Sequence, residues 1–307
     1  MSSQPAVPLP ALASPEAPRR RERRRLPGTV SWSARTLGVY VGLVVGGVVM
    51  VYPFLWMLAT SLRTSGEVAS SGASVIPQTW NWGNYASALG TFPFWDYLTN
   101  SLITTIIPIF GTIFASSLAG FAFARIRVKG AGFLFVLVLA TMLLPGEVTL
   151  VPQFILFREL GEVNTLYPLI IPAMFGSPFY IFLFRQFYLR LPQSLVDASR
   201  IDGLSWFRTW RSIFVPLSRP IMAATAALLF IGYWNNFLGP TIYINSDRWK
   251  TLPLALSGFQ APATGAGVNY PDLMALNTVM IIPCVILFFV SQRSFMKGIS
   301  FSGSGGQ

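Results

Sequence analysis

The 307-residue sequence contains no histidine and one cysteine, Cys284, and only 11% of its residues are charged. Without histidine, a zinc site would have to be built from carboxylates alone, so no metal site is predicted. A single cysteine forms no intrachain disulfide, and inside an apolar run Cys284 is interpreted as a small apolar filler. A soluble domain has about 25% charged residues, so this composition argues against a soluble protein.

Two further absences narrow the possible activities. The phosphate-binding pattern G-x-x-x-x-G-K-[ST] does not occur, so the chain is not expected to hydrolyse ATP itself, and no cofactor is predicted. A clustered catalytic set of His, Cys or paired acids is also missing from the apolar runs. An integral-membrane enzyme is therefore disfavoured, and turnover by the purified single chain would be the observation that favours it.

Apolar sequence makes up most of the chain, since 53% of the residues are hydrophobic. The runs that carry no charged residue are 36–62, 97–124, 130–146, 163–184, 220–246 and 273–292. A membrane-spanning helix needs about 20 mostly apolar residues, and the third run reaches that length when the stretch beyond Glu147 is included. The sequence thus predicts an all-α, polytopic membrane protein with six transmembrane helices.

The basic residues are distributed unevenly around these runs. If the N-terminus is inside and the chain crosses six times, the only basic residues on the outer side are Arg63, Arg158, Arg248 and Lys250. This distribution is the positive-inside bias. It predicts a multi-pass protein of the bacterial cytoplasmic membrane with both termini in the cytoplasm. It also explains the net charge of +11 without nucleic-acid binding.

Three parts of the chain are distinguished by composition. Residues 1–35 are rich in Pro, Ala, Ser and Arg and are predicted to form a disordered, basic cytoplasmic tail. We interpret this tail as a topology signal, with contact to anionic lipid as the alternative. Residues 36–298 form the predicted six-helix domain, and 299–307 a short cytoplasmic tail.

The segment between the fourth and fifth runs, 185–219, is longer than a simple connection requires. Pro192 opens a short predicted helix, and the residues that share one of its faces by helical spacing are Leu195, Ala198, Ser199 and Asp202. Gly203 then marks a turn, and Ser205 is placed to cap a second helix. The apolar stripe of that second helix consists of Trp206, Trp210, Ile213 and Phe214. An interfacial helix lying flat in the headgroups is the alternative interpretation.

The stretch LPQSLVDASRIDGLSWFRTWRSIFVPLSRP, 191–220, resembles the EAA loop of permease subunits in binding-protein-dependent ABC importers. The family pattern reads P-x-x-L-x-E-A-A-x-I-D-G, followed further on by L-P-x-x-x-P. The residues that match it are Pro192, Leu195, Ala198, Ile201, Asp202, Gly203, Pro216 and Pro220. Asp197 stands where Glu is usual and Ser199 where Ala is usual, and both changes keep the charge sign or the small size.

Other stretches resemble the carbohydrate branch of that family, in particular its maltose-type second permease. They include YPFLWMLATSLR at 52–63, FAFAR at 121–125, WNNFLGP at 234–240 and QRSFMKG at 292–298. The resemblance implies a dimer of ABC ATPase subunits, a second permease subunit and an extracytoplasmic substrate-binding protein as partners. It also implies transport of a sugar by alternating access, with an oligosaccharide or a related solute as the substrate.

The resemblance implies that the cytoplasmic EAA loop couples the chain to the ATPase. The loop residues assigned to this role are Asp197, Ala198, Ser199, Asp202, Gly203, Trp206 and Trp210. Their aromatic and small side chains are expected to pack into a groove of the ATPase. Gly203 is expected to adopt a positive φ in the turn.

A substrate pathway is predicted from polar residues that interrupt apolar runs. Trp234, Asn235 and Asn236 combine an aromatic face with amide groups, as sugar sites do, although hydrogen bonding between helices is an equally good explanation for the two asparagines. Glu147 is either a pathway residue or a residue at headgroup level. An ion-coupled secondary transporter would need more such acids, and ATP dependence of transport would exclude it. Glycerol phosphate or another polyol derivative remains an alternative substrate.

Overall fold

The computed structural model describes residues 34–71, 76–91, 93–260 and 268–300, and every regular element within these ranges is helical. The chain divides into two compact units, 1–51 and 52–307. The two predicted tails lie outside the described residues, apart from helical backbone at 34–35 and 299–300. The prediction of an all-α protein is confirmed for the described part of the chain.

The first unit is described from residue 34, where helix α1 (Ala34–Ser61) begins. All side chains from 36 to 51 are exposed, although most of them are apolar. A helix that is hydrophobic on all sides without a buried face is typical of a membrane span.

The second unit contains the end of α1 and all the following helices. They are α2 (Ser65–Ser71), α3 (Gly83–Gly90), α4 (Phe94–Arg125), α5 (Ala131–Ala140), α6 (Gly146–Glu159), α7 (Tyr167–Met174), α8 (Pro178–Leu189), α9 (Ser194–Ile201), α10 (Trp206–Thr209), α11 (Val215–Leu217), α12 (Arg219–Trp234), α13 (Leu238–Tyr243), α14 (Leu252–Gln260) and α15 (Tyr270–Ser300). A π-helical segment, Trp210–Phe214, joins α10 to α11. Short 3-10 segments follow α5 and α13.

Four described helical segments are long and apolar enough to cross a membrane, namely Thr36–Ser61, Phe94–Arg125, Tyr167–Leu189 and Tyr270–Ser291. Two pairs of consecutive helices are bent sharply against each other, and if each pair is counted as one span the total rises to six. Ala131–Leu143 and Gly146–Glu159 meet at 95°, and Trp206–Leu217 and Arg219–Trp234 meet at 79°. The described residues therefore contain four to six candidate spans, against the six predicted. The second bent pair begins at Trp206, inside the segment predicted to be cytoplasmic, so only its helix α12 falls within the predicted fifth span, 220–246.

The prediction of one continuous helix over 220–246 is wrong. Helix α12 ends at Trp234, and the chain starts a new short helix at Leu238. The Oδ1 atom of Asn236 accepts a hydrogen bond from the Gly239 backbone N–H at 3.2 Å. An Asn side chain that bonds the backbone in this way competes with continuation of the helix.

Helix α4 lies at the centre of the second unit and packs against α7, α8 and α12. A Cβ atom added at Gly120 would lie 2.7 Å from the Phe184 Cβ atom, and one added at Gly111 would lie 2.8 Å from the Met174 Cα atom. Glycine is thus required where α4 meets α7 and α8. Small residues of this helix thus allow close helix approach at these two positions.

The segment after α1 is held by a buried ion pair. The Arg63 Nε atom lies 3.6 Å from the Glu67 Oε1 atom, and both side chains are almost fully buried. Glu67 also accepts hydrogen bonds from the Gln78 backbone N–H at 2.7 Å and from the Thr79 hydroxyl at 3.0 Å. The bond from Gln78 is the main cause that lowers the pKa of Glu67 below its ordinary value. These contacts hold residues 78–79 against α2.

Candidate functional site

The part of the chain that resembles the EAA loop, from Pro192 to Pro220, is called the 192–220 loop. Its first helix, α9, ends in a Schellman motif. The Leu204 backbone N–H donates to the Ser199 carbonyl at 2.9 Å, and the Gly203 N–H donates to the Arg200 carbonyl at 3.1 Å. Gly203 has a φ of 73°, so the predicted positive φ is confirmed. A Cβ atom added there would meet nothing within 4 Å, and backbone conformation alone therefore explains the glycine.

The second helix of the loop begins where the sequence predicted it. The Ser205 side chain accepts a hydrogen bond from the Arg208 backbone N–H at 3.4 Å, which confirms Ser205 as the N-cap of α10. The two loop helices are joined by side chains, since the Thr209 hydroxyl donates to the Ser199 Oγ atom at 3.0 Å and both residues are buried. The pair of helices is thus connected through a turn and an internal hydrogen bond.

The residues predicted to share one face of α9 differ in their exposure. Val196 and Ser199 are buried, while Ala198 and Asp202 are exposed. The expectation that the small side chains of the loop pack into a groove of the ATPase is wrong for Ser199, whose side chain is bonded inside the loop. Apolar packing of Val196 explains the difference, because this larger side chain takes the inward position.

The aromatic stripe of the second helix also faces inward. Trp210 is only 4% exposed, and its Nε1 atom donates to the Ser117 Oγ atom on α4 at 3.1 Å. Trp206 is half-buried, with its ring centroid 6.4 Å from that of Phe121 and the Arg200 guanidinium 4.8 Å from its own centroid. The expectation that these aromatics fill a groove in another protein is therefore wrong for Trp210, which holds the loop to its own chain.

The outer surface of the loop is formed by a different set of residues. Its exposed members include Asp197, Ala198, Ile201, Asp202 and Phe207, together with the basic residues Arg200, Arg208 and Arg211. Ile201 is 86% exposed and Phe207 49% exposed, although both are large and apolar. The outer surface of the loop thus combines large apolar side chains with charges of both signs, and apolar patches rimmed by polar residues mark protein interaction sites.

Arg125, which the sequence interpretation did not assign to the site, connects α4 to the loop. Its Nη1 atom donates to the Gln193 Oε1 atom at 2.8 Å, and its Nη2 atom donates to the carbonyls of Tyr188 and Leu191. The guanidinium carbon lies 5.5 Å from the Phe214 ring centroid. The sequence does contain a signal for this role, because Arg125 is a basic residue at the end of a long apolar helix. A cation in that position can bond the free carbonyls at the C-terminal end of a neighbouring helix.

The structure separates the predicted pathway residues. Trp234 is buried and its Nε1 atom donates to the Met280 carbonyl at 3.1 Å, so it packs α12 against α15. Asn235 is exposed and donates to the Ile231 carbonyl of its own helix at 2.8 Å. The Asn235 side chain also hydrogen-bonds Cys284 on α15, as the alternative of bonding between helices predicts, whereas the bond of Asn236 to Gly239 stays local. Glu147 is exposed in the first turn of α6.

Trp234 and Asn236 share a small cavity with residues of several helices. Its other lining residues are Ser101, Thr104, Leu169, Tyr233, Pro240, Thr251 and Pro253. The cavity has a volume of about 10 Å³, which is about the space that one water molecule occupies. The lining offers hydroxyl, amide and aromatic groups, but the arrangement is too closed to hold a sugar.

We expect substitutions of the two asparagines to differ in their effect on stability. Asn236→Ala removes the acceptor of the Gly239 N–H in the first turn of α13 and should lower the free energy of unfolding by about 0.5–2 kcal/mol. Asn235→Ala removes an exposed side chain that bonds the Ile231 carbonyl and Cys284, and it should lower the free energy of unfolding by less, because surface substitutions usually have small effects. Thermal unfolding of the detergent-solubilised protein measures both. An equal loss for the two variants would contradict the role of Asn236 at the start of α13.

Comparison with known proteins places these features in a family. Residues 111–301 match the family described as binding-protein-dependent transport system inner membrane component. The chain is 35% identical to the arabinooligosaccharides transport system permease protein AraQ of Halalkalibacterium halodurans, over 84% of this chain and 92% of that protein. It is 31% identical to the sn-glycerol-3-phosphate transport system permease protein UgpE of Rhizobium meliloti, over 84% and 93%.

The fold is also found in a solved structure, the crystal structure of a bacterial ABC transporter involved in the import of the acidic polysaccharide alginate. The TM-score is 0.75, with 84% of this chain and 96% of that chain covered and 19% sequence identity. The family match includes the whole 192–220 loop, and the matched relatives agree with this chain over most of their length. The chain belongs to the family of binding-protein-dependent transport system inner membrane components and is a permease subunit of an ABC importer.

Proposed function

We propose that the chain, together with a second permease subunit, forms the membrane path of an importer for a carbohydrate, an oligosaccharide or a related solute. The similarity to AraQ, whose name refers to arabinooligosaccharides, supports this substrate class. The similarity to UgpE supports a polyol phosphate as the second candidate.

The substrate class is tested by uptake in cells. A strain that lacks this chain should lose most uptake of labelled arabino-oligosaccharides or another oligosaccharide, and expression of the chain should restore it. Loss of sn-glycerol-3-phosphate uptake with normal uptake of the oligosaccharides would favour the second candidate. Unchanged uptake of both classes would contradict the proposal.

ATP hydrolysis is assigned to separate ATPase subunits, which the 192–220 loop contacts on the cytoplasmic side. The observation that carries this assignment is the exposed surface of the loop, in which Ile201 and Phe207 stand beside Asp197 and Asp202. The opposite face of the same loop is bonded into the helix bundle through Trp210. A loop with one outward contact face and one inward bonded face transmits the movement of a partner to the helices as a rigid body.

The remaining partners follow from the same assignment. A substrate-binding protein delivers the solute from outside, and residues 76–82, just before α3, belong to the outer surface that it meets. The exposed aromatic residues of that surface include Trp80 and Trp82. Closure of the ATPase dimer then re-orients the helices of both permease subunits, so that the path opens alternately to the two sides.

This assignment requires both termini and the 192–220 loop to be cytoplasmic, as the basic residues predict. In a Cys284→Ala background, a cysteine at the exposed Ser70 should react with an impermeant thiol reagent in intact cells. A cysteine at the exposed Ser194 should react only after the cells are permeabilised. Both substitutions replace a serine by a side chain of similar size, so the fold is preserved. Reaction at Ser194→Cys in intact cells would contradict the orientation.

A further inference from the structure

A chain of hydrogen bonds is buried at the base of the 192–220 loop. It consists of Ser117 on α4, Tyr188 on α8, Trp210 in the π-helical segment and Ser218 at the start of α12, each at most 4% exposed. The Trp210 Nε1 atom lies 3.1 Å from the Ser117 Oγ atom, which is 2.6 Å from the Tyr188 hydroxyl. That hydroxyl lies 3.3 Å from the Ser218 Oγ atom. We call these four residues the buried hydrogen-bond chain.

The donors and acceptors of this chain form a directional sequence. Trp210 has only an N–H to donate, so Ser117 accepts from it. The Ser218 hydroxyl donates to the Val215 carbonyl at 3.0 Å, and Tyr188 must therefore donate to Ser218. The one remaining proton, that of Ser117, is then donated to Tyr188. Ser117 and Ser218 each donate once and accept once, and the Tyr188 hydroxyl, which also interacts with the Trp210 side chain, is the link in the middle.

The position of the buried hydrogen-bond chain is unusual for a mere packing contact. Its surroundings are apolar, with Phe121, Phe184 and Phe214 in the same cluster. Buried polar groups cost free energy unless all their hydrogen bonds are made. Apolar side chains would fill the same space without this requirement. The four residues connect the loop to three different helices, two of which, α4 and α8, belong to separate spans.

The buried hydrogen-bond chain also lies at a sharp change in the direction of the chain. Ser218 is the residue between the segment Trp206–Leu217 and α12, which meet at 79°. The segment just before it, Trp210–Phe214, is π-helical. Single π-helical turns inside helices occur frequently at functional sites.

We infer that the buried hydrogen-bond chain fixes the angle between the 192–220 loop and α12 and makes Tyr188 a positioning residue for transport. This inference rests on the proposed coupling role of the loop. When a partner moves the loop, the hydrogen bonds carry the movement into α4, α8 and α12 together. Without them the loop still binds its partner, but its movement is only partly transmitted.

Tyr188→Phe tests the inference, because it keeps the buried ring and removes only the central hydroxyl. We expect the reconstituted importer, with its ATPase, second permease and binding protein, to hydrolyse ATP at a near-normal rate. The amount of substrate imported per ATP should fall about tenfold, because the hydrogen bonds that transmit the movement of the loop are lost.

The matched control is Tyr243→Phe. Tyr243 is likewise buried, but its hydroxyl has no hydrogen-bond partner among the described residues, and it lies in a different apolar cluster. Its substitution should leave import per ATP unchanged. Ser117→Ala breaks the same chain at its neighbour, so the double variant with Tyr188→Phe should be no worse than the poorer single variant.

Three outcomes separate this inference from the proposed function. Wild-type import per ATP in Tyr188→Phe, with uncoupling by Gly203→Val in the same preparation, would overturn the inference and leave the coupling role of the loop intact. Normal import per ATP in both would overturn both. Loss of the assembled complex in Tyr188→Phe and in Ser117→Ala would also overturn the inference, because it would show that the buried hydrogen-bond chain serves assembly only.

Discussion

Gly203→Val should abolish most ATP-driven uptake while the protein remains in the membrane with its sister permease. An ordinary L-residue in the left-handed region costs roughly 1–2 kcal/mol, and a β-branched residue more. The chain relieves this strain by changing the backbone at residue 203, which turns α9 away from α10 and breaks the Schellman bonds at Ser199 and Arg200. The measurement is substrate uptake together with recovery of the ATPase during purification of the complex.

Two control variants identify strain as the cause. Gly203→Asn introduces a side chain of similar size that tolerates a positive φ, so it should keep most of the uptake. Gly161 has a φ of 74° and open space around its Cβ position, as Gly203 does. Gly161→Val therefore adds comparable strain beyond the end of α6, and we expect coupling to survive. Equal loss of uptake in Gly203→Asn would show that bulk, not backbone strain, is responsible.

Arg125→Ala should have the second largest effect. Removal of the buried guanidinium leaves two backbone carbonyls and the Phe214 ring without their partner. Each buried acceptor that loses its hydrogen bond costs about 1–3 kcal/mol. The carbonyls of Tyr188 and Leu191 stand at the junction of α8 with the loop, so the loop should separate from α4. We expect a lower melting temperature in detergent and faster proteolysis within 192–220.

Arg127→Ala and Arg125→Lys are the matching controls. Arg127 is exposed two residues further on, and its removal changes the same charge on the same side of the membrane. It should leave the melting temperature nearly unchanged. Arg125→Lys keeps the charge but loses the planar fork that reaches three acceptors, so it should recover only part of the lost stability. Full recovery would show that charge alone holds the junction.

Local signals in the sequence were sufficient to predict much of the loop. The turn at Gly203 and the cap at Ser205 depend on the preferences of single residues, and both were predicted. The apolar runs likewise indicated the spans, because a membrane requires a minimum length of apolar chain. The resemblance at 191–220 identified the family before any contact was known.

What the sequence did not reveal depends on tertiary packing. Trp210 was expected on an outward stripe, but a buried hydroxyl on α4, Ser117, offered its indole a partner inside the chain. The helical period predicts the same aromatic stripe whether it faces a partner protein or its own chain. Only the position of α4 decides which way the stripe faces. The role of Arg125 was missed for the same reason, since its acceptors follow it in the chain by more than sixty residues.

The most direct test of the account is a photo-cross-link from the outward face of the loop to the ATPase. A benzoylphenylalanine at Phe207, which is 49% exposed, should form a covalent product with the ATPase subunit in the purified importer. The same group at Trp82, which is exposed on the segment assigned to the outer side, should not. A product with the ATPase from Trp82, or none from Phe207 in a complex that transports normally, would contradict the account.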